Sequence, residues 1–480
     1  MFFETNQLNF RELPGFPPLF LDYVEGVPPA RSFLGDPPDL ARSVTRAAEL
    51  RQALSRNAEI ARHVLEQLQQ RHSSPTVLEN ALRLSNPDAV VILATAPAST
   101  AGGPLCVLLK CLTACRLAAE LHARGIEAVP VCWVDHKAPG LVGTESAWVL
   151  DSEARLQEFS AAEAGGDVSN EALITSLERI APGGQSAETL EFLQRNYAGS
   201  TLSSACCRLI SALTHELGLV VIDATEPQLE STVSKKLDSL AADPSVAAKI
   251  RMRQEELQQA GYAPPITESD VPGVLVPIVQ SLLLPVAIQV CDPVELCFWG
   301  IIEPLFTRMQ LPAPVAWPRA SVTLTDPRSR KFLNRHGLRL NEFFTDREEL
   351  LRRVLNEPVR QTAMERFGTL EKEIQESLTV FLELAGPENS LREVVETSRG
   401  KMLYQVAKLK ERFLMSIQVR REVELRQLER TCNTLAPHRQ LQEVILGTVH
   451  FLLRHTTALV PFLYENLEVS TFEHQTLSVD

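Results

Sequence analysis

The residues able to do chemistry in this sequence cluster at the ends of apolar runs. Gly102, Gly103 and Pro104 form a corner between one such run and a long helical pattern. Glycine lets a backbone approach a ligand, and proline fits the first helical turn, so the corner is a candidate anion site at the positive end of a helix. A tight packing corner is the alternative. The stretch lacks the Lys-Ser/Thr ending of a P-loop and the three spaced glycines of a dinucleotide loop. Lys110, two turns along the helix, either reaches the same rim or is a solvated lysine. Asp135 and His136 follow an apolar run ending in Trp133-Val134, where histidine can transfer protons near neutral pH and aspartate can orient it or bind a hydroxyl. Asp223 either accepts sugar hydroxyls or caps the turn after it. Glu295 caps a helix or holds an amine, and Arg319 clamps a phosphate or carboxylate or makes a structural ion pair. Gln280, inside an apolar run, needs partners where it is buried, so it is either a strand-edge hydrogen bond or a ligand contact.

Short runs rich in Val and Ile over 89–95, 127–134, 219–223 and 285–291 read as buried strands with helices between them. Two of the helical patterns stop at Gly125 and Gly218 just before the next strand, as in βαβ units. The fold class expected is α/β: a Rossmann-like parallel-sheet core with inserted connecting segments. Its ligands belong beyond the carboxyl ends of the strands, which brings 96–104 and the turns after Trp133 and Asp223 to one rim. Residues 1–50, rich in proline and aromatics, read as an extended arm or irregular cap before the helical pattern of 41–72. The segment 271–290 has the length of a membrane span, but Pro272, Pro277 and Pro285 argue for buried strands and turns.

Beyond residue 345 the pattern becomes helical. Phe367, Leu370, Ile374 and Phe381 make one stripe, and Val395, Met402, Val406, Leu409 and Phe413 follow at near-heptad spacing after the turn GPENS. This is an antiparallel coiled-coil arm, whose remaining apolar surface either folds on its own core or pairs with a second subunit as a homodimer. The domains expected are 1–345 for the core, 346–435 for the arm, and 436–480 for one further helix and a strand-like tail packing back on the core.

The chain has 480 residues, 47 basic and 60 acidic, for a net charge of −13. That balance gives no whole-chain field to hold nucleic acid or an anionic membrane, and neither is an expected partner. The start, MFFETNQLNFRELPG, reads as no secretory leader, so a cytoplasmic location and reduced thiols are expected for its nine cysteines. No metal site is expected, because no pair of CxxC motifs accompanies them.

Six segments in order resemble the BshC family, cysteine ligases of bacillithiol synthesis: GGPLCVLLKCLTACRLAAEL, VPVCWVDH, PIVQSLLLPVAIQVCDPVELCFWGIIEPLF, PAPVAWPRASVTL, LAPHRQLQE and the C-terminal Glu473-His474. The departures are local. The family's TGQQPGLFGGPL loop is ATAPASTAGGPL here, so both glutamine amides are missing. Its EDHD turn is reduced to Asp135-His136-Lys137, its GPGE is Asp292-Pro293-Val294-Glu295, and the arginine before Pro277 is Val276. The resemblance implies a Rossmann-like core, a dimerising coiled coil, and addition of cysteine to glucosaminyl malate in the last step of bacillithiol synthesis. Making an amide from a carboxylate in water is uphill, so ATP or a related nucleotide is the expected cofactor. The residues expected at the site are Asp135 and His136 as the catalytic pair. Around the substrates or nucleotide stand Gly102, Gly103, Pro104, Lys110, Trp133, Asp223, Gln280, Glu295 and Arg319. Because the TGQQ and EDHD positions are altered, the alternatives are a catalytically degenerate binding protein or another nucleotidyl- or acyl-transferase on the same core.

Overall fold

Apolar β-branched runs form the centre of the chain. A computed structural model of the protein describes residues 6–53, 58–71, 73–135, 146–160, 170–180, 184–197, 201–262, 271–355 and 358–479. Its strands are β1 (Asn6–Leu8), β2 (Val90–Pro97), β3 (Ala128–Asp135), β4 (Ser146–Leu150), β5 (Leu156–Ser160), β6 (Val220–Asp223), β7 (Val286–Cys291), β8 (Val315–Pro318), β9 (Ser321–Thr325) and β10 (His474–Ser478). Strands β2, β3, β6, β7 and β8 form one parallel sheet in the order β6-β3-β2-β7-β8. Every residue of these five strands is buried, as expected when helices cover both faces of a parallel sheet. The order is that of a Rossmann-like fold, with its switch point between β2 and β7, where successive strands begin to be added on the other side.

The four strands expected from the sequence all form, each within two residues of its expected ends, and their carboxyl ends share one rim. Three readings are corrected. Residues 6–39 are not an extended arm: after β1 they make helices Pro18–Val24 and Pro28–Leu34. Segment 271–290 is helical over Val271–Val274 and Val276–Leu283 before β7 begins. In each case proline sits at the first or second helical position, where its missing N–H has no partner to lose, so it starts a helix instead of breaking one. After residue 436 there are three short helices, not one: Gln442–Ile445, Thr448–His455 and Leu459–Asn466.

The tail is a strand. In a second sheet β10 lies between β9, to which it is parallel, and β1, to which it is antiparallel. The cysteines are free thiols, and Cys106, Cys111, Cys115, Cys132, Cys206 and Cys207 share one apolar cluster under the β3 side of the sheet, as small hydrophobes.

Two compact units result, 1–326 with 434–480, and 327–433. The second contains helices Pro327–His336, Arg347–Leu355 and Pro358–Leu384, and most of a 47-residue helix, Asn389–Leu435. Its two longest helices form an antiparallel hairpin in which the rings of Phe367 and Phe413 meet at 5.8 Å and Lys410 reaches Glu371 at 3.2 Å.

Candidate functional site

The helix Leu105–His122 follows β2 through the Gly-Gly-Pro corner, and the corner is closed. Gly102 and Gly103 have φ of +83° and +72°, a backbone region that L side chains rarely adopt. The Leu105 amide donates to the Leu446 carbonyl at 3.0 Å, and Thr448 N–H donates to the Gly103 carbonyl at 2.8 Å. The first amide of the helix is therefore taken by the chain's own C-terminal segment, and these contacts favour the packing-corner alternative. A Cβ on Gly103 would stand 2.9 Å from that of Ser99. We expect Gly103→Val to destabilise the fold by about 2–4 kcal/mol through strain and overpacking, read as a lowered thermal midpoint.

Lys110 is not solvated. It is 1% exposed, and its ammonium contacts Glu295 at 2.5 Å and Asp292 at 3.3 Å. Asp292 also pairs with Arg319, which donates through Nη1 to Glu443 at 2.7 Å. Glu443 in turn accepts from Ser321 Oγ (2.8 Å) and the Val322 amide (2.5 Å), and His474 lies 2.7 Å from Ser321 Oγ and 2.9 Å from Thr323 Oγ1. Each of these residues is buried. Arg319 is thus a structural ion pair, and the amine that Glu295 holds is that of Lys110. Glu295 also accepts from the Asp292 amide at 2.8 Å, closing a capping box at the start of the helix Pro293–Arg308.

Two cations here face three carboxylates, and the mismatch falls on Glu295. Burial, reinforced by the charge of Asp292 and opposed by Lys110, pushes its pKa up to about 7. Asp292 moves the other way, because Lys110 and Arg319 outweigh its burial. For Lys110 burial favours the neutral amine, but Glu295 and Asp292 hold it charged.

Burial pulls His474 from its ordinary 6.5 down to about 4. A base whose folded pKa is depressed stabilises the fold above its unfolded pKa, and that share is lost as pH falls from 6.5 to 4, here about 3 kcal/mol. Glu295, raised from 4.5 to about 7, works in the opposite sense as pH rises through that interval. We therefore expect urea unfolding of the wild type and of His474→Asn, measured between pH 4 and 7, to differ by a slope that only the histidine supplies.

Glu295 has a second face. With Thr95, Gln289, Pro277, Phe298 and Trp299 it lines a cavity of about 20 Å³ at the switch point, room for about one water molecule. Gln280 Nε2 and Gln289 Nε2 both donate to Thr95 Oγ1 at 3.0 Å, which supplies the partners that their burial requires. Gln280 lies on a helix and not on a strand edge.

The remaining candidates divide. Asp135 ends β3 on the rim, with Trp133 Nε1 3.4 Å from its Oδ2. Trp133 itself is wholly buried in the core and does not face the rim. Asp223 is a turn cap: Oδ1 accepts from Ser203 Oγ (2.7 Å), Thr225 N (3.0 Å) and Thr225 Oγ1 (2.6 Å). His136 lies outside the described residues. Asp292, Glu443, Ser321 and Thr323 were not singled out from the sequence, although each falls in or beside a segment that carried the family resemblance.

No helix among the described residues is long and apolar enough to cross a membrane. Residues 3–272 match the domain family described as Bacillithiol biosynthesis BshC, N-terminal Rossmann-like domain, and 322–479 match its C-terminal coiled-coil domain. A protein of Solibacter usitatus named "Putative cysteine ligase BshC" is 23% identical over 455 residues, covering 83% of this chain and 86% of its own. Proteins with that name from Koribacter versatilis (23% identical, 82% and 84% covered) and Salinibacter ruber (22% identical, 97% of each covered) are similar along the chain too. With a Rossmann-like sheet in one unit, a helical hairpin in the other, and family domains matched on both, this chain belongs to the BshC family of bacillithiol biosynthesis.

Proposed function

We propose that the protein is a cysteine ligase that joins the carboxylate of cysteine to the amine of glucosaminyl malate, the last step of bacillithiol synthesis. A C–N bond forms, one carboxylate oxygen leaves, and cleavage of a phosphoanhydride of ATP or a related nucleotide drives the net loss of water. The observation that carries this reading is the second face of Glu295, which lines a water-sized cavity at the β2/β7 switch point beside Gln289 and Thr95. Burial raises its carboxyl group towards neutrality, so through a water in that cavity it can accept the proton that an amine bound outside must lose before it attacks. Asp135, which ends the adjacent strand β3, orients the incoming amine in this proposal, and His136 is the second residue proposed to transfer its proton.

One observation favours a second reading, a binding protein without catalysis: the Gly-Gly-Pro corner is covered by Leu446 and Thr448. Incubation with cysteine, glucosaminyl malate and ATP, followed by mass spectrometry, separates the two. The amide product supports the ligase, and substrate binding without product supports the second reading.

The arm serves as the dimer contact in this proposal. Phe381, Met402, Leu409 and Met415 remain exposed on the hairpin after its helices have paired. Light scattering should show a dimer for the wild type and a monomer for Leu409→Asp/Met415→Asp. A wild type that is monomeric at micromolar concentration contradicts it.

A further inference from the structure

The five charged groups of the buried network stand in an alternating row, Glu295, Lys110, Asp292, Arg319 and Glu443, and the carboxylates at its two ends are held differently. Glu443 uses both of its oxygens. Oε1 accepts from Arg319 Nη1 at 2.7 Å and from Ser321 Oγ at 2.8 Å, and Oε2 accepts from the Val322 amide at 2.5 Å. Glu295 accepts at Oε2 alone, from Lys110 Nζ and the Asp292 amide, and it is the member of the row that lines the cavity at the switch point.

The other titratable groups that face the row carry no charge near neutrality. Burial pushes the Cys106 thiol, near Arg319, up to about 12, and raises that of Cys291, near Glu295, well above its ordinary value; it pulls His474 down to about 4. The groups that line the cavity with Glu295, Thr95 of β2 and Gln289 of β7 among them, are uncharged. The charges that act on Glu295 are therefore those of the row itself. Each cation in it is shared by two carboxylates. What Arg319 gives to Glu443 it cannot give to Asp292, so Asp292 draws on Lys110, and Lys110 has less to offer Glu295. With three donors at one end of the row and two at the other, the proton that relieves the excess negative charge goes to the second.

We infer that Glu443 is a positioning residue for the proposed reaction: by holding Arg319 it keeps the excess charge of the row, and with it the proton, on Glu295 at the cavity. The link to turnover rests on the ligase reading, whereas the placement of the proton does not. In Glu443→Gln two cations face two carboxylates. A buried carboxyl group relieved of a like charge several ångströms away ionises at lower pH, by on the order of one pH unit.

The test is the pH profile of turnover together with the infrared band of protonated carboxyl groups, both on the full-length protein. In Glu443→Gln the rising limb of turnover and the titration of the band should move down together by about one pH unit, and in Glu443→Asp, which keeps the charge, both should stay in place. A residue that only supports the fold lowers turnover at every pH without moving the limb. An unmoved limb and band in a folded Glu443→Gln, or an equal shift in Glu443→Asp, therefore overturns the inference. Should Glu443→Gln fail to fold, the wild type supplies the second measurement. Its protonated carboxyl band at pH 6 should vanish in Glu295→Gln, and a band that persists places the proton elsewhere and overturns the inference too. If the wild type forms no amide product, the ligase reading fails and the band alone decides where the proton rests.

Discussion

Lys110→Met will lower the stability of the fold by about 3–5 kcal/mol, the scale on which a buried charge is left without its partner. Methionine fills most of the lysine's volume, so the loss is electrostatic and not a cavity effect. Without the ammonium, Glu295 and Asp292 face each other's charge in the interior, with Arg319 on the far side of Asp292. Urea denaturation at pH 8, above the raised pKa of Glu295, gives the full effect. Adding Glu295→Gln to Lys110→Met should recover a large part of it, because the two sites contact one another and their effects are not additive. A loss below about 1 kcal/mol in the single variant, within the range of an ordinary exposed ion pair, contradicts the account of the network.

Glu295→Gln alone should reduce turnover by about a hundredfold or more, the range for a lost acid–base group, with folding retained. Glutamine keeps an oxygen for the Asp292 amide, so the helix start stays capped, and Lys110 stays paired with Asp292. The discriminating readout is the pH profile. In the wild type, turnover rises with pH through about 7 as the carboxyl group ionises, and this limb should disappear in the variant. An unchanged limb assigns the proton transfer to another group, and the His136→Ala profile is then the one to compare.

Much of the fold was legible in the sequence because its signals are local. Apolar Val/Ile runs, two of them preceded by a helix that stops at glycine, gave the parallel strands, and heptad spacing gave the hairpin. Where local reading failed, the cause was distant in the chain or positional. Proline-rich 1–50 read as an extended arm or irregular cap and Pro277 as a helix breaker, but Pro18, Pro28 and Pro277 occupy first helical turns, where proline is favoured. The Gly-Gly-Pro corner looked open because its cover, Leu446 to Thr448, lies more than three hundred positions later.

The site was half legible for the same reason. Lys110, Glu295 and Arg319 were each weighed alone, as a solvated lysine, an amine holder and an anion clamp, and each alternative was open. Asp292 and Ser321 are neighbours of Glu295 and Arg319 in the chain, but only the fold joins Lys110 to Asp292 and Glu295 and brings Glu443 and His474 to Arg319 and Ser321. Once together they satisfy one another, and Glu295 alone of the group also lines the crevice.

The measurement that bears most directly on the ligase reading is made in a cell. In a bacterium that makes bacillithiol, the gene for its own family ligase is replaced by one encoding this chain, and cellular thiols are labelled and weighed. This supplies every co-substrate, including the nucleotide, at working concentration. The account predicts that bacillithiol returns with the wild-type chain and falls sharply with Glu295→Gln at equal protein level. Accumulated glucosaminyl malate with no bacillithiol, while the folded wild-type chain is present, would contradict it and leave the binding protein as the reading that stands.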